Sequence, residues 1–241
     1  MGRFFAVLLT LSLLLACAAC GDKDAPSSQP SASGGGLVES QPESPPEPEE
    51  TPQADDALVR EMIFAYGAYE DTLNGPAVLT VRKKSLFHRM ESWGAGDLTP
   101  GDYLYWADTL PMTEEEQKIA DQGQHHAQDH KGESPFGYRF LPAAWVEETV
   151  LSRFDTTVEV LRGDPEYYDG SIPGYFLSAG GGIGEISTLS YSFSQEEDIL
   201  TIPVTLTFVN STQPYRTHTL TVRLEPDGGW KYLGCQVEAL V

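Results

Sequence analysis

Apolar side chains recur three or four positions apart after residue 57, which is the spacing of one helix face. Asp55 and Asp56 offer N-caps at the start of this pattern, and an Asn-Gly-Pro sequence at residues 74–76 stops it. The pattern therefore predicts a first helix over residues 58–73. Its apolar face consists of Leu58, Met62, Tyr66, Tyr69 and Leu73.

Capping residues mark three later helices. Thr99 precedes Pro100, which is a cap followed by proline at the first helical position. Thr113 begins a capping box with the glutamate three positions later. Between the first helix and these, residues 77–91 fit a strand followed by a short helix. Pro142 opens the last helix, whose apolar stripe is Val146, Val150 and Phe154.

Strict alternation of apolar and polar residues replaces the helical spacing from residue 189 onward. This period of two predicts antiparallel strands with one face on a core and one face in water. Pro203 has no amide to donate, so it predicts a sheet edge at its position. The alternating segments are 189–194, 200–208 and 219–224, and a fourth strand, 230–233, follows a tight Asp-Gly-Gly turn.

The order of helices first and strands afterwards predicts an α+β fold. N-terminal helices would pack on one face of a curved antiparallel β-meander of about four strands. At the level of fold this order resembles the cystatin-like and NTF2-like classes, a resemblance that implies no activity.

The N-terminus carries one positive charge followed by an uncharged apolar run. Arg3 supplies the charge, and residues 4–16 have no charged and almost no polar side chain. This is the layout of a secretory signal peptide. The run is too short to span a bilayer, which takes about 20 apolar residues.

Residues 13–21, Leu-Leu-Leu-Ala-Cys-Ala-Ala-Cys-Gly, resemble the lipobox of bacterial lipoproteins. The resemblance implies that one cysteine takes a diacylglycerol on its thiol and begins the mature chain. Cys17 fits the motif better, because Leu14 lies three positions before it, whereas Cys20 has a cysteine in that place. Ordinary secretion, with cleavage after an Ala-x-Ala site, is the alternative.

The chain is thus expected to have three parts. The signal peptide covers residues 1–16, or 1–19 if Cys20 is the lipidated residue. Residues 17–57 hold the lipidation site and a tether rich in Pro, Ser, Gly and Glu, which has too little apolar surface to offset its ordering entropy. Such a coil reaches about 35 Å on average. Residues 58–241 form one α+β domain, long enough to bury a core.

Charge excludes one class of partner. The chain has 36 acidic and 15 basic residues, a formal charge of −21. Nucleic acid and anionic lipid head groups repel such a chain, so no nucleic-acid partner is expected. Only one cysteine, Cys235, lies in the domain, where we expect a small buried apolar residue. A disulfide to an unlipidated Cys20 is the alternative.

His125, His126 and His130 are the candidate metal ligands. On a helix His126 and His130 lie one turn apart and can share a metal ion. Glycines bracket the run and no apolar stripe holds it, so the alternative is a solvated loop over residues 121–134. No resident cofactor is expected.

His218 is the candidate pocket residue. It has the strand phase of Leu220 and Val222, on the core side, where an imidazole can line a pocket and act as a general base. The alternative is a core histidine with one satisfied hydrogen bond. No serine elbow and no Cys–His pair is indicated, so no catalytic residue is assigned.

A group of aromatic residues lies outside the strongest patterns. They either line a binding surface or fill the seam between helices and sheet. The group consists of Tyr103, Tyr105, Trp106, Tyr167, Tyr168, Tyr175 and Phe176.

Residues 141–237 also resemble a domain of uncharacterised lipoproteins of Gram-positive bacteria. The shared features are a helix at 146–154, Tyr-Tyr-Asp at 167–169, a glycine run at 180–182 and Gly-Gly-Trp-Lys-Tyr-Leu at 228–233. This resemblance implies no activity.

These features favour a lipid-anchored extracytoplasmic protein that acts as a binding or accessory module at the cell envelope. Its expected partners are the membrane, through the covalent lipid, and a protein or envelope component. An NTF2-like protein with a small-ligand or enzymatic pocket is the alternative.

Overall fold

Helices alternate with short strands up to residue 178, and strands alone follow. The computed structural model of the chain describes residues 52–72, 77–131, 137–178 and 187–240, with the backbone alone for residues 126–131. The helices are α1 (Asp56–Tyr66), α2 (Pro100–Ala107), α3 (Glu114–Lys131), α4 (Ala143–Leu151) and α5 (Val158–Arg162), with one 3₁₀ turn at Leu86–His88. None of the described helices has the length and apolar character needed to cross a bilayer.

All strand pairings between the named strands are antiparallel. The strands are β1 (Ala68–Asp71), β2 (Val78–Val81), β3 (Tyr138–Pro142), β4 (Tyr168–Asp169), β5 (Gly174–Ser178), β6 (Ser187–Tyr191), β7 (Ser194–Glu196), β8 (Ile199–Phe208), β9 (Pro214–Leu224) and β10 (Trp230–Ala239). The main sheet has the order β1-β2-β6-β8-β9-β10, with β7 also beside β8, and a small sheet has the order β3-β5-β4. The α+β class is confirmed.

The number of strands differs from the expected four. The described main sheet has seven strands, and a second sheet of three accompanies it. The four predicted strands correspond to β6, which overlaps the segment 189–194, and to the long strands β8, β9 and β10. The additional strands have two to five residues, too few for a period of two to stand out.

One face of the long strands carries the core, as the alternation predicted. Leu200, Ile202 and Val204 of β8 are fully buried, whereas Thr201 between them is exposed. Helix α1 packs over this side with Val59, Met62 and Ile63 in the same apolar cluster. The Tyr232 hydroxyl of β10 donates to the Met62 carbonyl over 2.6 Å, which fixes α1 to the sheet.

The predicted first helix is too long at its C-terminal end. Helix α1 stops at Tyr66, and Gly67 follows with φ +137, a conformation that glycine adopts without strain. The backbone of Gly67 lies against Ser85, where any side chain would collide. The chain therefore turns there and continues as β1, so Tyr69 belongs to a strand and is exposed.

Pro203 does not lie on an edge strand, because β8 has neighbours on both sides. Its carbonyl accepts from the Ser192 amide over 3.3 Å, at the gap between the end of β6 at Tyr191 and the start of β7 at Ser194. In an antiparallel ladder the N–H and C=O of a residue face the same neighbour. The missing amide therefore falls where the neighbouring strand is interrupted.

The segment at residues 121–134, for which the sequence left a helix and a solvated loop open, is helical as far as Lys131. Its anchor is Gln124, whose side-chain amide donates to the Tyr138 carbonyl and accepts from the Phe140 amide over 2.9 Å. The side chain thus pairs with the edge of β3 as a strand would. Gly123 allows this approach, because it lies directly against the Phe140 ring.

The Gly123→Ala substitution is expected to lower the free energy of unfolding by about 1–3 kcal/mol. A Cβ there would lie 2.1 Å from the Phe140 ring, which cannot retreat because Gly174 lies against its other edge. In an unobstructed helix the same change would add up to about 1 kcal/mol of stability, so the sign is diagnostic.

Urea denaturation measures this effect, with Gly170→Ala as the control. The nearest atom to a Cβ at Gly170 is 3.6 Å away, at ordinary contact distance. A stabilising Gly123→Ala would contradict the described contact between α3 and Phe140.

Candidate functional site

A half-open groove lies between the helices at the N-terminal end of β10. Its volume is about 550 Å³, within the range of small-ligand pockets. One wall comes from α1, another from α2 and the start of α3, and the third from α4 and the two residues after it. The lining residues are Glu61, Ala65, Trp106, Leu110, Pro111, Glu116, Trp145, Glu148, Thr149, Ser152, Arg153 and Trp230.

Three tryptophans form the inner part of the groove. Trp106 is fully buried, and its indole N–H donates to the Ala65 carbonyl over 2.9 Å. Trp230 is 4% exposed and Trp145 is 7% exposed. No indole face is therefore open widely enough for a flat ring to stack on it.

Arg153 covers part of this aromatic floor. Its guanidinium lies 3.8 Å from the centre of the Trp230 ring, a cation–π contact. It also donates to the Ser152 carbonyl over 3.2 Å. The groove therefore already holds one cation, supplied by the chain itself.

Three carboxylates line the groove around this cation. Glu61 and Glu148 are exposed, and among the described residues neither makes an ion pair. Glu116 uses one oxygen in the capping box of α3, where the Thr113 amide and hydroxyl donate to it over 2.6 and 2.8 Å. The lining thus has three formal negative charges against one positive charge.

The Trp230 indole N–H is a buried donor at this site. It lies close enough to the Tyr232 hydroxyl to lower the pKa of that group, although burial dominates and raises that pKa overall. It does not reach hydrogen-bond geometry with any acceptor in the described part of the chain. The angle decides whether a hydrogen bond forms, so the indole N–H remains without an acceptor there.

A second polar cluster lies in the core, on the other side of Tyr66. The Cys235 thiol lies 3.5 Å from Nδ1 of His218, and the Tyr66 hydroxyl interacts with the same thiol. Trp93 donates its indole N–H to the Tyr66 hydroxyl over 3.1 Å. A Cys–His pair is therefore present, contrary to the expectation from the sequence.

The environment keeps this pair uncharged. Burial raises the pKa of the Cys235 thiol to about 11. Burial, with smaller contributions from Arg216 and His88, lowers the pKa of His218 to about 4. At neutral pH the pair is thiol and neutral imidazole, whereas a nucleophilic cysteine needs a depressed pKa.

His218 itself is fully buried in β9, edge-to-face with Phe87 at 5.5 Å. Its Nε2 has no hydrogen-bond partner within the described residues. It lines neither the groove nor a small cavity of about 20 Å³ beside Trp93. The structure therefore places it in the core, and does not support the pocket role.

The metal candidates lie on the second half of α3. His125 is exposed, and the backbone of His126 and His130 is helical, as a shared site requires. Their side chains lie outside the described part, and among the described side chains no three potential ligands come together. The lipidation candidates Cys17 and Cys20 also lie outside the described residues.

The aromatic group mostly fills the seam between the helices and the sheets. Tyr103, Trp106, Tyr175 and Phe176 are buried, and the remaining three are partly buried. Of the group, only Trp106 also lines the groove.

No protein-family model, curated protein or solved structure matches the chain.

Proposed function

We propose that the protein is a lipid-anchored binding module on the extracytoplasmic side of a bacterial membrane. The groove between α1, α2 and α4 is its binding site. The observation that carries this proposal is the groove itself, a half-open space of about 550 Å³ with an aromatic floor and a charged rim. Buried aromatic residues surrounded by polar groups are typical of binding sites.

The N-terminal sequence supports the anchor. The apolar run and the small residues before Cys17 resemble a lipoprotein signal. A lipid anchor with two or three acyl chains holds a protein stably on a membrane, whereas a single acyl chain holds it only marginally. Labelling cells with a palmitate analogue tests this. One of the two single variants, Cys17→Ser or Cys20→Ser, should lose the label, and the other should keep it.

Binding is favoured over catalysis by the chemistry of the lining. The groove contains neither histidine nor cysteine. The close Cys–His pair found among the described residues lies in the core with both groups uncharged. Neither place offers an activated nucleophile with its base.

The arrangement of helices on an antiparallel meander supports a cystatin-like or NTF2-like relationship. In this fold class a ligand pocket would lie between the sheet and the helices. Here Leu200, Ile202 and the aromatic side chains fill that space. The groove outside the sheet is therefore the better candidate.

A ligand panel on the mature protein tests the groove, with Thr149→Trp as the matched variant that fills it. The panel contains amino acids, sugars, basic peptides and wall fragments. A ligand at a hundred times its dissociation constant adds about 2.7 kcal/mol, which raises the melting temperature by about 5–10 °C. We expect this rise in the wild type and not in Thr149→Trp. A ligand that stabilises both equally binds elsewhere and contradicts the proposal.

A further inference from the structure

We propose that the groove accepts a lysine or arginine side chain from a basic segment of a partner protein. This inference rests on the proposed function, because it names the partner chemistry of the same groove. Three features lead to it: the charge of the lining, its apolar wall and the position of Arg153.

The charge of the lining is the first feature. Glu61, Glu116 and Glu148 face one cation, Arg153, and none of the three carboxylates is neutralised by an ion pair among the described residues. The whole chain carries a charge of −21, which attracts cations at long range. An anionic ligand would be repelled at long range by the charge of the whole chain and at short range by the carboxylates of the groove.

The apolar wall selects the kind of cation. Ala65, Leu110 and Pro111 line the groove beside the carboxylates. Lysine and arginine place an aliphatic stem on apolar surface while the charged head stays near water and carboxylates. A small inorganic cation would leave this wall unused, and a sugar ring would find no open indole face to stack on.

Arg153 occupies such a site from within the chain. Its guanidinium lies 3.8 Å from the centre of the Trp230 ring, and the residue lines the groove. An incoming cation would be repelled by Arg153, and it would gain access to the Trp230 ring if Arg153 were absent. The indole N–H of Trp230, which has no acceptor among the described residues, would become accessible to the partner's backbone. The N–H would then find an acceptor in a peptide carbonyl of the partner.

The geometry therefore predicts opposite effects for two substitutions in one groove. Glu148→Gln should weaken the binding of a cationic ligand by about three- to five-fold, since an exposed ion pair contributes up to about that factor. Arg153→Gln should strengthen the same binding by a similar factor. An anionic ligand would show the reverse order, and a neutral ligand would respond to neither change in this way.

Calorimetric titration of the mature lipidated protein in detergent tests this, with acetyl-Gly-Lys-Gly-amide as the probe. The neutral comparison is the same peptide with norleucine, which has the stem without the charge. Glu238→Gln is the control variant, because this exposed glutamate lies at the far end of β10 from Trp230. We expect binding of the lysine peptide, weaker in Glu148→Gln, tighter in Arg153→Gln and unchanged in Glu238→Gln.

The other outcomes separate the two proposals. Equal binding of the lysine and norleucine peptides, abolished for both by Thr149→Trp, overturns the inference of a cationic partner and leaves the groove as the binding site. Absence of lysine-peptide binding also overturns the inference. Binding that Thr149→Trp leaves unchanged contradicts the groove itself.

Discussion

Replacing Phe154 with alanine is expected to lower the free energy of unfolding by about 3–5 kcal/mol, the largest effect that we foresee for a single substitution. Phe154 is 2% exposed and lies at the centre of the aromatic core. Its ring makes contacts of 4.8–6.0 Å between centroids with four neighbours, and such pairs add to the area that is buried. The neighbours are Trp93, Tyr103, Trp106 and Tyr232.

Urea denaturation at neutral pH measures the effect, with Phe154→Leu as the control. Leucine keeps most of the volume, so its cost should stay below about 2 kcal/mol. If the two variants lost the same free energy of unfolding, the contacts of the Phe154 ring would not stabilise the core as described.

The second large effect is a dependence of stability on pH that originates from His218. Its pKa is about 4 in the folded protein, whereas an unfolded histidine has a pKa of 6.5. Between these values the unfolded chain binds a proton that the folded chain does not, so stability falls as the pH falls. The loss is complete near pH 4 and amounts to about 3 kcal/mol. Above pH 6.5 His218 makes no contribution to the pH dependence of stability.

Comparison with His218→Leu isolates this contribution from the carboxylates that titrate nearby. The difference in free energy of unfolding between the two proteins should change by about 3 kcal/mol between pH 7 and pH 4, in the direction that favours the variant at low pH. Cys235→Ala serves as a second variant, because it removes the thiol beside Nδ1 and keeps the imidazole. A constant difference over this range would contradict the buried neutral imidazole.

The long strands and the capped helices could be predicted from the sequence. Their signals are local: a period of two over ten residues in β8, and a threonine followed by proline before α2. The end of α1 could not be placed in the same way. It depends on the close approach of Gly67 to Ser85, a residue far along the chain.

The second half of helix α3 could not be assigned for a related reason. It has little apolar surface, so the sequence pattern left a solvated loop open as the alternative to a helix. What holds it is one glycine and one glutamine that meet β3, namely Gly123 against Phe140 and Gln124 on the strand edge. Such contacts between distant elements leave no periodic signal in the chain.

The groove could not be predicted either, because its residues come from five elements, α1 to α4 and β10, that are far apart in sequence. Of its lining only Trp106 belongs to the group of aromatic residues outside the strongest sequence patterns. Trp145 lies in the predicted last helix and Trp230 in the predicted fourth strand, and neither local pattern relates the two residues to each other. The pairing of Cys235 with His218 was missed because it depends on the register of β9 and β10, which opposes Cys235 to Leu220 and Val237 to His218.

The central claim is that the groove meets a partner at the outer surface of the membrane. The most direct test places a small diazirine amino acid, close to leucine in size, at position 110, which lines the groove, or at position 144, exposed on α4 and outside the groove. Irradiation of intact cells should then give a cross-linked product from position 110 and none from position 144. Equal products from both positions, or a product from position 144 alone, would contradict the account.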